Sequence, residues 1–108
     1  MVKITLYQDE DSYIGFDCIG HAGYADSGQD IVCAGISALV INTINSIQHL
    51  TAAKSSVSTD ETTGKIDFQL MTPNDSEAQL LLKSLDLGLQ GIKEQYGKEF
   101  LTLDYKEV

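Results

Sequence analysis

A chain of 108 residues, 43% hydrophobic and with a single proline, is large enough for one compact domain with its own core. Sixteen acidic residues face seven lysines and no arginine, for a formal net charge of -9. The lysines are scattered, so the clustered Lys and Arg that neutralise phosphate are missing and direct nucleic-acid binding is excluded, while the acidity keeps the chain soluble and suits a basic partner.

At the N-terminus Val2, Ile4 and Leu6 alternate with Lys3, Thr5 and Tyr7, the period of a half-buried strand. The polar turn Asp9-Glu10-Asp11-Ser12 follows, and Tyr13 to Ile19 resumes an extended, β-prone pattern, so the two segments form a hairpin. Gly20 opens a loop that holds Gly23 and Gly28 among small residues, a composition that permits unusual backbone angles and mobility. Asp30 then offers a side chain able to cap a helix. With Asp30 as N-cap, Ile31, Val32 and Cys33 take the first three helical positions. Ile36, Leu39, Val40, Ile44, Ile47 and Leu50 then recur every three or four residues as one stripe that packs onto a sheet. The β-branched residues also fit a buried strand from Ile31 to Ile41, but the helical period continues through Leu50. That apolar run is roughly half of a bilayer-crossing length, which makes it core and not a membrane span.

A second hairpin pairs Ser55 to Asp60 with Lys65 to Met71 across the turn Glu61-Thr62-Thr63-Gly64. Thr72-Pro73-Asn74 ends it. Asn74 with Glu77, or Ser76 with Gln79, offers a capping box for a second helix that buries Ala78, Leu81, Leu82, Leu85, Leu89 and Ile92. Gly97 stops that helix, and Leu101, Leu103 and Tyr105 alternate within a last strand from Glu99 to Lys106. The order strand-strand-helix-strand-strand-helix-strand, without repeat or linker, gives a single α+β domain over residues 1–108, a mixed or antiparallel sheet packed by two helices.

The chemistry-bearing residues gather where the second strand gives way to the first helix. Cys33 follows His21 by twelve residues across the glycine loop. The unpaired amides and the dipole of a first helical turn stabilise a thiolate, and a nearby imidazole can take its proton. In peptide cleavage a thiolate attacks the carbonyl carbon, a histidine deprotonates the thiol and later protonates the leaving amine, and backbone amides hold the oxyanion. Cys33, His21 and the amides of the loop and first turn can supply all three. A metal site built from Cys18, His21, Asp26, Asp30 and Cys33 lacks the closely paired ligands of structural zinc sites. A phosphate loop fails too, because the dinucleotide fingerprint and the P-loop Lys-Ser/Thr ending are absent, and Asp26 and Asp30 would repel phosphate. No metal and no cofactor is expected. On spacing alone, a small core cysteine and a hydrogen-bonded histidine remain the plainer account. Cys18 and Cys33 flank the loop, and no charged-then-apolar leader precedes Val2, which points to a cytoplasmic chain with free thiols.

Gly20-His21-Ala22-Gly23-Tyr24-Ala25, then Gly28, then Asp30-Ile31-Val32-Cys33-Ala34, then Ser37-Ala38-Leu39 closely resembles the signature of the ribosomal-processing cysteine protease (Prp) family. The element order is similar to that family's α+β fold over the whole length. The resemblance implies a bacterial cysteine endopeptidase that removes the short N-terminal extension of a large-subunit ribosomal protein precursor, cutting after an aromatic residue in a hydrophobic stretch. Such a substrate is basic, in keeping with the acidic chain. The resemblance also implies His21 as general base and acid, Cys33 as nucleophile, Gly20, Asp30 and Ser37 as supporting motif positions, and a homodimer. Ser37, one turn after Cys33, can bond near the thiolate or back to the Cys33 carbonyl. Asp30 as cap fixes the first turn, and Asp26 is an alternative partner to orient His21. The mobile loop Ala22-Gly23-Tyr24-Ala25-Asp26-Ser27-Gly28-Gln29 is expected to order on substrate and bring His21 to Cys33. Cys18 is read as a structural thiol. Two rivals stand beside this reading. One is a non-catalytic ribosome-associated module that recognises the same basic partner, and the other a thiol redox protein in which both cysteines matter.

Overall fold

The computed structural model describes residues 2–20, 27–97 and 99–108. Its elements in chain order are β1 (Val2–Asp9), β2 (Ser12–Ile19), α1 (Ser27–Leu50), β3 (Ser55–Asp60), β4 (Lys65–Leu70), α2 (Ser76–Tyr96) and β5 (Leu101–Glu107). The alternation in β1 buries Val2, Ile4 and Leu6 and leaves Lys3 exposed, as a strand with one covered face requires. β2 and β4 lie antiparallel to their neighbours, while β5 runs parallel to β1, giving the sheet order β3-β4-β2-β1-β5. Each helix connects two strands that run the same way, β2 to β3 through α1 and β4 to β5 through α2. The right-handed rule for such crossovers places both helices on one face of the sheet. The expected mixed α+β architecture is therefore present.

Between sheet and helices lie Ile4, Leu6, Phe16, Phe68 and Leu101 from the strands and Ile36, Val40, Ile47, Leu82, Leu85 and Leu89 from the helices. Phe16 and Phe68 stack across β2 and β4 with ring centroids 5.2 Å apart. Beside them Gly15 is required, because a Cβ there would run into the Phe68 carbonyl oxygen. The helices also approach closely, since a Cβ on Gly88 of α2 would stand 3.1 Å from Leu39 of α1.

Several local expectations change. The α1 stripe holds through Ile47, but Leu50 is 73% exposed because the helix has run past the apolar surface it covers. The apolar character also extends beyond Ile41: Ile31–Leu50 has the length and hydropathy of a membrane span, yet here it lies on the sheet with 39% of its most apolar window buried. Neither capping box forms at α2. Asp75 is the N-cap, its carboxylate accepting from the Ala78 N–H at 2.9 Å. Gln79 is engaged elsewhere: its amide donates to the carbonyls of Tyr13 and Pro73 and accepts from the Tyr13 N–H. Gly97 ends α2 as expected, at φ 94, with its N–H on the Lys93 carbonyl.

Candidate active site

β2 ends at Ile19, and Gly20 takes φ 112, a backbone angle that a glycine adopts without strain. His21 and Ala22 to Asp26 lie outside the described residues, and of Ser27, Gly28, Gln29 and Asp30 only the helical backbone is described. The expected loop therefore loses its last three residues to α1, which begins at Ser27. Asp30 is inside the helix and is not its cap. A helix tolerates a glycine at about 1 kcal/mol relative to alanine, so Gly28 does not hold the chain in a loop as the sequence reading supposed.

This earlier start moves Cys33 relative to the helix end. It sits more than a turn inside α1, not on the first turn. The unpaired amides belong to the first four residues, Ser27 to Asp30, whereas the Cys33 N–H is committed to the helical ladder. The dipole acts within the first turn and falls off beyond it.

The Cys33 side chain turns toward the sheet and is 3% exposed, in the same buried cluster as Val32, Ile36 and Cys18. Cys18 reaches this cluster from β2, level with Ile4 on β1 and Ile66 on β4. Burial pushes the Cys18 thiol up to about 11, with the nearby Asp17 and Cys33 adding to the effect. Both cysteines are free. Ser37 does not share the Cys33 pocket. Four residues advance a helix by slightly more than one turn, and that rotation carries Ser37 into solvent while Ile36 stays buried. Among the described residues its hydroxyl makes no side-chain hydrogen bond, whereas the Thr43 and Thr51 hydroxyls each donate back to a helical carbonyl at 2.7 Å. No group of three or more His, Cys, Asp or Glu gathers for a metal among the described residues.

Two buried carboxylates escaped the sequence reading, Asp17 of β2, which accepts from the Tyr7 hydroxyl at 2.5 Å, and Asp86. Asp86 of α2 accepts from the Tyr13 hydroxyl at 2.5 Å, the Tyr105 hydroxyl at 2.5 Å and the Gln90 amide at 2.9 Å. Its signal was an aspartate set among the leucines of the buried α2 face. The cluster joins α2 to the start of β2 and to β5, at the far end of β2 from Gly20, and so stands apart from Cys33.

Residues 1–100 match the family model described as Cysteine protease Prp. A ribosomal processing cysteine protease Prp from Staphylococcus aureus strain Mu50 is 38% identical over 105 residues, 97% of each chain. Its namesake from Bacillus subtilis strain 168 is 32% identical over 101 residues, 89% of this chain and 90% of that one. The crystal structure of the essential S. aureus protease Prp with a substrate peptide is similar at TM-score 0.89 and 33% identity, covering 98% of this chain and 100% of that one.

Proposed function

Because the chain belongs to the cysteine protease Prp family and is a cysteine protease, we propose that it removes the short N-terminal extension of a large-subunit ribosomal protein precursor, cleaving after an aromatic residue. The observation that carries the reading is the near full-length match to relatives named for ribosomal processing, one of them solved with a substrate peptide. Cys33 is the nucleophile and His21 the general base and acid. Cys33 Sγ bonds to the scissile carbonyl carbon, His21 passes the thiol proton to the leaving amine as the C–N bond breaks, and a thioester remains. Water, deprotonated by His21, then opens the thioester and frees the carboxylate product. The oxyanion is held by amides other than that of Cys33, which is committed to the helical ladder. The reaction needs no cofactor.

The apolar surroundings of Cys33 favour a hydrophobic segment at the scissile bond, and the net charge of -9 draws a basic precursor. Gly20, with its positive φ, turns the chain out of β2 toward His21. Two free thiols and a ribosomal precursor support a cytoplasmic reaction. The working unit is a homodimer, with the outer side of α1 as its contact: Ile31, Ala34, Ala38 and Ile41 are exposed there, at spacings of three and four. Residues 31–53 contain no Asp, Glu or Lys, so two acidic copies meet there without like-charge repulsion. Light scattering should give the dimer mass, and Ile41→Glu the monomer mass; a monomeric native chain overturns this contact.

The cleavage test incubates the chain with a peptide spanning an aromatic-rich ribosomal-protein N-terminus. The native chain should yield one cut after an aromatic residue, and Cys33→Ala and His21→Ala none. Tight binding by all three without any product would favour the non-catalytic module.

A further inference from the structure

Among the described residues β3 and β5 have a strand on one side only, and each leaves a row of backbone N–H and C=O groups without a ladder partner. The two edges are built differently. β5 carries Asp104, Lys106 and Glu107 among its last four residues, and charged side chains oppose the approach of another strand. β3 reads Ser55-Ser56-Val57-Ser58-Thr59-Asp60, so between Lys54 and Asp60 it bears no charge and no proline, and its register with β4 runs unbroken. We infer that β3 is a docking edge, to which an extended segment of the precursor, apolar and with an aromatic residue at its centre, adds as a further strand. The inference rests on the proposed cleavage for the identity of that occupant.

The occupant's chemistry follows from the row of side chains that β3 ends. Phe16, Phe68 and Val57 are level with one another on β2, β4 and β3, on the face that the helices cover. Both phenylalanines are fully buried, whereas Val57 is 37% exposed, so the apolar row runs out into solvent at β3. The residue of an added strand that stands level with Val57 is the next in this row. Pairs of aromatic and β-branched residues are favourable across strands, so a ring suits that place. Ser55 and Thr59 share the face with Val57 and are small, which leaves the ring room.

Charge gives the segment its direction. Asp60 and the turn residue Glu61 are exposed at the end of the strand and favour the basic part of the precursor, while Lys54 at the start opposes it. Lys65, level with Asp60 on β4, offsets part of that acidity. In this mode main-chain hydrogen bonds supply affinity and the place beside Val57 supplies selectivity.

The test uses the Cys33→Ala chain, which leaves the aromatic-rich peptide of the cleavage assay intact. Alternate N–H groups of a strand point to each neighbour, so alternate amides of Ser55–Asp60 should gain hydrogen-exchange protection when the peptide binds. N-methylation of every second peptide amide should weaken binding about tenfold per site, the loss of one net hydrogen bond, with the intervening amides indifferent. Val57→Lys, which places a guarding charge on the edge, should weaken it at least as much. Protection confined to β5, N-methyl groups that act alike at every position, or a peptide that the native chain cleaves without protecting β3 overturns the docking edge. Protection of β3 that rises with protein concentration in the absence of peptide assigns the edge to a second copy and overturns it too. A peptide neither cleaved by the native chain nor bound by Cys33→Ala is a different failure, in which the protease reading falls and takes the occupant with it.

Discussion

Asp86 is the one carboxylate of α2 within the core, and three donors from three elements converge on it. Replacing it with alanine removes the acceptor for all of them. A hydrogen bond to a charged group contributes about 1.5–3 kcal/mol. Tyr13 is only partly exposed, so its hydroxyl loses its partner with little compensation from water, and Tyr13→Phe should cost about 2 kcal/mol. Tyr105 is 46% exposed and water can replace its bond, so Tyr105→Phe should cost under about 1 kcal/mol. Asp86→Ala, which loses both and empties a buried site, should cost about 3 kcal/mol, a large share of the 5–15 kcal/mol that holds a domain of this size. In urea, with a slope of about 1.5 kcal/mol per molar, the Asp86→Ala midpoint should fall by about 2 M. Peptide cleavage below that midpoint should be unchanged, since the cluster lies at the far end of β2 from Cys33. A shift under about 0.5 M in Asp86→Ala, or Tyr105→Phe costing more than Tyr13→Phe, would refute the reasoning.

Gly15→Ala forces a Cβ against the Phe68 carbonyl and should lower stability by about 1–3 kcal/mol, read as a reduced urea midpoint; an unchanged midpoint would mean that β2 and β4 can separate freely. Asp75→Ala removes the α2 cap and should cost about 1 kcal/mol in the same assay, with Asp75→Ser recovering most of it. Alkaline pH should destabilise the fold. Cys18 is raised from 9.0 to about 11, and Tyr7 and Tyr105 from 10.0 to about 12, so their contributions are whole below pH 9 and are lost as pH climbs through 9 to 12. Thermal melts should show this fall, and Cys18→Ala should remove its earliest part; a melting temperature that rises over this range contradicts the assignment. Iodoacetamide labelling of Cys33 should slow at least tenfold in His21→Ala, and equal rates would exclude the histidine as its base.

The strands were legible because a sheet covered on one side stamps a period of two on every strand, as Val2, Ile4 and Leu6 show. The span of α1 was less so. Its stripe predicts the packing through Ile47, but nothing in Leu50 itself says that the helix there has passed the edge of the core. The start was misplaced because Asp30 is a good cap in isolation and Gly28 a good loop residue, and the ladder from Ser27 overrode both. At α2, Asn74-Asp75-Ser76 offers three cap-type residues in a row. The choice falls on Asp75 because Gln79 is held by Tyr13, a residue remote in sequence, and is not free to close a capping box. Of the candidate site, the motif from Gly20 to Leu39 carried the family, whereas the burial of Cys33 depends on how α1 is laid on the sheet, which local sequence does not encode.

That placement changes which physical effect can prepare Cys33 for the proposed role of nucleophile. A cysteine on the first helical turn has free amides around it and the dipole behind it; Cys33, deeper in α1 and buried in the core, has neither at hand. Cys18, kept neutral by its own burial, offers no cation in the core. In the proposed dyad the base that deprotonates Cys33 is the His21 of the motif. Under that proposal the work of preparing the thiol falls to the histidine and not to the end of the helix.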